Sequence, residues 1–124
     1  MKKLSILVLS MTMSFVFAND PVKDLDAYKV AKTEAVNVSP FCLSIAKGDY
    51  EMTKKMIELG TEVNQFSEGM TPLMYAARYN RVEIIKLLVA NGAKLGTKDS
   101  KGFKAVKYAE LSGAHEAEEL LLSL

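Results

Sequence analysis

Residues 69–92 read GMTPLMYAARYNRVEIIKLLVANG, and this stretch decides the fold. Thr71-Pro72-Leu73 opens a helix. A hydroxyl at the N-cap accepts from a free backbone N–H, and the fixed φ of proline suits the first helical turn. Ala76 and Ala77 are small enough for two helices to approach closely. Ile84, Ile85, Leu87 and Leu88 form the apolar side of a second helix. Gly92 ends that helix where a positive φ is needed.

The segments on either side repeat the pattern. At an offset of 32, Ser39-Pro40 matches Thr71-Pro72, Gly48 matches Asn80 at the turn between helices, and Gly60 matches Gly92. Glycine and asparagine both tolerate the left-handed conformation that such a turn requires. At an offset of 33, Gly102 matches Gly69, Tyr108 matches Tyr75, Ala109 matches Ala76 and Gly113 matches Asn80. The third copy departs at its start. Lys104-Ala105-Val106 replaces Thr-Pro-Leu, so the N-cap hydroxyl and the proline are missing.

This pattern resembles the ankyrin repeat, a turn followed by two antiparallel helices. The resemblance covers roughly residues 38–124. It implies an all-α fold, an ankyrin-repeat solenoid of three helix-turn-helix repeats with short hairpin loops. The repeats fall at about 38–68, 69–101 and 102–124. Stacked repeats bury both flanks in the middle of an array and one flank at an end. The middle second helix has Ile85 and Leu87 where repeat one has Thr53 and Lys55, and Ile85 becomes Glu118 in repeat three. Thr53, Lys55 and Glu118 are therefore expected at the polar faces of terminal caps, closing a three-repeat array. Leu73, Ala76, Ala77, Ile84, Leu87 and Leu88 are expected at its centre.

The first 18 residues read as a signal peptide. Lys2 and Lys3 give a positive start, Leu4 to Phe17 an apolar run, and Val16-Phe17-Ala18 a cleavage site before Asn19. A membrane-spanning helix needs about 20 apolar residues. This run is shorter and meets polar Asn19-Asp20-Pro21. The leader looks bacterial, so the chain is expected to be exported, periplasmic or secreted, with no membrane insertion after cleavage. Residues 19–37 follow neither the helix nor the strand period and are expected to form a mostly extended arm.

The whole chain carries 16 basic and 15 acidic residues. Loss of Lys2 and Lys3 leaves the mature protein one charge negative. That balance gives no electrostatic footprint for nucleic acid and no polybasic cluster for anionic lipid.

No catalytic set emerges. His115 is the only histidine and Cys42 the only cysteine. They fall in different repeats, on the order of 20 Å apart if neighbouring helices pack at about 8–10 Å. They cannot pair as thiol and imidazole. Glu116, Glu118 and Glu119 suit a charged helix face. No phosphate loop or nucleophile elbow is present. The chain is read as no enzyme, with no cofactor and no metal site. Cys42 is read first as a small, partly buried thiol. An unpaired cysteine in an exported protein also leaves open a redox role or a Cys42-linked dimer, although a monomer is expected.

The resemblance implies protein recognition through the hairpin tips and the exposed face of the first helices. By position, the surface comprises Phe66, Ser67, Glu68 and Met70 on the first tip, and Ser100, Lys101 and Phe103 on the second. Arg78, Tyr79, Leu111 and Ser112 follow on the helices. Phe66, Met70, Tyr79 and Phe103 are expected to line one groove beside Arg78, a composition suited to interface cores. The partner is an unknown protein, and an adaptor or an inhibitor of an envelope protein is the first expectation. The second, from resemblance alone, is a stress-protection accessory assisting a haem or peroxide-handling enzyme.

Overall fold

The computed structural model describes residues 37–124. The expected leader, and the expected arm up to residue 36, lie outside the described residues. Among the described residues, six helices run in order from Pro40: α1 (Pro40–Lys47), α2 (Tyr50–Glu58), α3 (Pro72–Arg78), α4 (Val82–Ala90), α5 (Ala105–Ser112) and α6 (His115–Ser123). They form three antiparallel pairs. The first helices α1, α3 and α5 stack as an inner layer, and α2, α4 and α6 as an outer layer. Among the described residues, no helix is long and apolar enough to cross a membrane.

The start signals act as expected in two repeats. The Ser39 hydroxyl accepts from the Cys42 N–H at 3.2 Å, and the Thr71 hydroxyl accepts from the Met74 N–H at 3.3 Å. The Met74 sulfur returns the favour by accepting from the Thr71 N–H at 3.3 Å. In the third repeat Lys104 provides no side-chain cap, as the lost hydroxyl requires. The turns between paired helices use the left-handed region, with φ of 77° at Gly48 and 57° at Asn80.

The core runs through all three repeats. Leu73, Ala76, Ala77, Ile84, Ile85 and Leu88 are buried at its centre. Leu87 is only half-buried, so Ile85 takes the central place expected for it. The small residues have a clear use, since Ala76, Ala77 and Ala109 are fully enclosed where α3 and α5 pack.

The expected polar caps need one correction. Lys55 is exposed and Glu118 half-exposed, but Thr53 is fully buried. Its hydroxyl donates to the Asp49 carbonyl at 2.8 Å and lies 2.9 Å from the Ser44 hydroxyl. Thr53 is therefore a satisfied core residue between α1 and α2, because a polar side chain is cheap to bury once it is hydrogen-bonded.

The middle turn joins the repeats. The Arg81 guanidinium donates through Nε (3.1 Å) and Nη2 (2.7 Å) to the Ala46 carbonyl, at the C-terminal end of α1. Asn80 reaches the other way. Its Oδ1 accepts from the Ala117 N–H at 3.0 Å, and its Nδ2 donates to Glu116 at 2.8 Å. Ala117 is the third residue of α6, and Ala114 at its start has no side chain to cap it. Asn80 thus caps the helix of the next repeat, while Arg81 satisfies the end of a helix in the previous one.

Candidate functional site

Two tips and the ends of the inner helices make the expected surface, and each tip is fastened by a tyrosine of its own repeat. In the first, Ser67 and Met70 exchange backbone bonds at 2.8 and 3.2 Å around Glu68 (φ 50°) and Gly69 (φ 79°). Two successive positive φ values make a type I′ turn. The Tyr75 hydroxyl, from α3, donates to the Ser67 carbonyl at 2.8 Å. In the second tip one Asp99 oxygen accepts from the Lys101 and Phe103 N–H groups, each at 2.9 Å. The other accepts from the Tyr108 hydroxyl of α5. Phe103 packs edge-on against the Tyr108 ring, with centroids 6.0 Å apart.

The second tip has a distinctive electrostatic balance. Tyr108's burial, with Asp99 beside it, pushes its hydroxyl up to about 12. The bond from Tyr108, aided by the two backbone donors, holds the Asp99 carboxyl below its usual value. A raised tyrosine value stabilises the fold fully below the unfolded value near 10, and that contribution is lost as pH rises from there to about 12. A lowered aspartate value stabilises above the unfolded value near 3.9 and is lost as pH falls below it. Urea midpoints measured against pH should therefore decline at both extremes. Tyr108→Phe should remove the alkaline decline that this group causes, and Asp99→Asn should flatten the acid one. Profiles identical to wild type would contradict the assignment.

The expected single groove divides into three parts. Met70 is buried, because the turn folds its side chain inward against α3. Ser67 is buried too, since its hydroxyl accepts from the Ser39 N–H at 2.8 Å and ties the first tip to repeat one. Neither offers the exposed tip surface expected of it. Phe103 is half-buried against the core. Phe66 is 48% exposed but lines a groove of ≈ 290 Å³ with Pro40, Phe41 and Met56, all of repeat one. What remains on the inner helices is Arg78 with Tyr79, and Leu111 with Ser112. Tyr79 is 43% and Leu111 60% exposed. The Arg78 guanidinium lies 5.7 Å from the Tyr79 ring centroid, in cation–π range. Its Nη1 is 4.0 Å from the Met70 sulfur. Glu68, Ser100 and Lys101 are exposed at the tips.

Cys42 is only 1% exposed. Burial pushes its thiol up, against the opposing effect of the Ser39 and Ser67 hydroxyls. A buried thiol with a raised value is a poor nucleophile and is out of reach of a second copy in the folded state. The redox and dimer readings of Cys42 are corrected accordingly. Among the described residues no group of three or more His, Cys, Asp or Glu side chains is placed to hold a metal ion.

The model of the family described as ankyrin repeats (3 copies) matches residues 22–124. The chain is 42% identical over 99 residues to the ankyrin repeat, SAM and basic leucine zipper domain-containing protein 1 of Carollia perspicillata, covering 76% of this chain and 21% of that protein. It is 36% identical over 88 residues to the protein of that name in Equus caballus, covering 67% and 18%. It is 29% identical over 90 residues to the dauer abnormal formation protein 25 of Caenorhabditis elegans, covering 71% and 23%. The chain thus spans about a fifth of the length of these relatives.

Proposed function

The chain belongs to the ankyrin-repeat family, whose repeats generally mediate protein–protein interaction, and on that premise we propose that it is an exported, non-enzymatic recognition module acting on an envelope protein as adaptor or inhibitor. The observation that carries this reading is the exposed group on the inner helices. Arg78 stacked on Tyr79 has the side-chain types that supply most binding energy at protein interfaces, and Leu111 on the next helix adds exposed apolar area beside them. The rest of that face is held rigid by the tyrosine-fastened tips, so little ordering entropy is lost on binding. Export rests on the leader sequence Met1–Ala18.

Tyr79→Ala combined with Leu111→Ala should abolish capture of the partner from envelope extract. The helical circular dichroism should not change, because both side chains lie at the surface, outside the buried core. Unchanged capture would remove the inner face from the reading. N-terminal sequencing of the mature protein should begin at Asn19, and a retained leader would contradict export.

A further inference from the structure

We propose that the inner-helix face recognises an acidic peptide segment, seating a carboxylate on Arg78 and an apolar side chain across Tyr79 and Leu111. This rests on the recognition-module reading and names the chemistry of the partner.

The first support is the state of Arg78. It is exposed, and among the described residues it makes no ion pair. Its guanidinium is held over the Tyr79 ring and near the Met70 sulfur, so its position is set before a partner arrives. Guanidinium binds carboxylates through two parallel hydrogen bonds and is more weakly hydrated than an ammonium group.

The second support is the distribution of charge. On the inner helices and the second tip, the exposed cations Lys47, Lys101 and Lys104 likewise make no ion pair among the described residues. The acids on that side are mostly occupied. Asp99 is filled by two N–H groups and the Tyr108 hydroxyl. Glu110 sits 3.5 Å from Lys107. Among the described residues, Glu68 is the acid on that side without such a contact. The outer helices have the opposite balance, six glutamates against three lysines. A negatively charged segment is thus drawn to the inner face and repelled from the outer one.

Apolar neighbours separate this surface from a phosphate-binding one. Leu111 occupies the position of Arg78 one repeat further on, and α3 and α5 are in direct contact. Packed helices stand about 8–10 Å apart. An extended chain advances about 3.3 Å per residue. A partner therefore needs a large apolar side chain two or three residues from its carboxylate. A nucleic acid offers no such aliphatic group, and it needs a longer basic stripe than this face provides.

The test is a random peptide library displayed on phage and selected against the full chain. The best peptide is then measured by fluorescence polarisation beside its Asn/Gln analogue and oligouridylate. Selected sequences should carry Asp or Glu two or three residues from Leu, Phe or Met. Arg78→Gln should weaken binding about tenfold or more. Removing the peptide carboxylates should weaken it equally, and the two losses should not add. Lys54→Gln, on the outer layer, should change nothing. Peptides without acidic residues, no selected peptide, or binding indifferent to Arg78→Gln would each overturn the inference. So would Arg78-dependent binding of oligouridylate alone. Neutral peptides lost on Tyr79→Ala with Leu111→Ala would end this inference while leaving the recognition-module reading standing.

Discussion

Leu88→Ala should cost about 2–5 kcal/mol and bring the array to the edge of unfolding. Leu88 is completely buried on α4, in the repeat flanked on both sides. Its removal leaves a cavity lined by side chains from neighbouring helices, and those helices cannot all close in on it. Stability of a small domain is only about 5–15 kcal/mol in total. A domain of this size shifts its thermal midpoint by roughly 4–8 °C per kcal/mol. The expected result is therefore a loss of roughly eight degrees or more, the lower ends of the two ranges multiplied together. Leu122→Ala is the control. Leu122 is on α6 and mostly exposed, so its truncation should stay within about 0.5 kcal/mol. A Leu88→Ala melt that overlays wild type would mean that the middle repeat does not organise the core.

Arg81→Ala should cost about 2 kcal/mol, the worth of a charged hydrogen bond to a carbonyl that has no other partner of this strength. The spatial pattern of the loss is more diagnostic than its size. Arg81 holds α1 of repeat one, whereas its neighbour Asn80 caps α6 of repeat three. Stability in such arrays is a sum of repeat terms and nearest-neighbour terms. Hydrogen exchange should therefore speed up in α1 and α2 of Arg81→Ala while α5 and α6 stay protected. Asn80→Gly keeps the left-handed turn and removes the cap, so the faster exchange should appear in α6 instead. Uniform acceleration in both variants would show that the turn is not a two-sided fastening. Gly48→Ala belongs to the same test. Its Cβ would stand 3.0 Å from the Arg81 guanidinium, in a backbone with φ of 77°, and would push the arginine off Ala46.

Much of this fold was legible because its signals are local. Ser39-Pro40 and Thr71-Pro72 start helices through atoms within four residues, and Gly48, Asn80 and Gly113 turn the chain by their own tolerance of positive φ. Contacts across repeats were harder to read. Thr53 looked like a solvent-facing cap because nothing in its own helix reveals Ser44 opposite it. The roles of Asn80 and Arg81 as reciprocal fasteners depend on partners 35 to 37 residues away. The surface divided in the same way. Arg78 and Leu111 project from regular helix positions, Tyr79 caps the end of α3, and all three were identified by register. Ser67 and Met70 were misplaced because a type I′ turn folds the side chains beside its tip inward. The tyrosine anchors were the missed signal, since Tyr75 and Tyr108 repeat at the same register and each donates to its own tip.

The most direct test of the central claim is site-specific photo-crosslinking. A benzophenone amino acid is placed at Tyr79 on the inner face or at Met52 on the exposed outer helix of repeat one, and each protein is irradiated in envelope extract. The account predicts one discrete adduct from position 79 and none from position 52, because the partner lies across the inner helices. An adduct from position 52 with none from position 79 would place recognition on the outer layer and contradict the account.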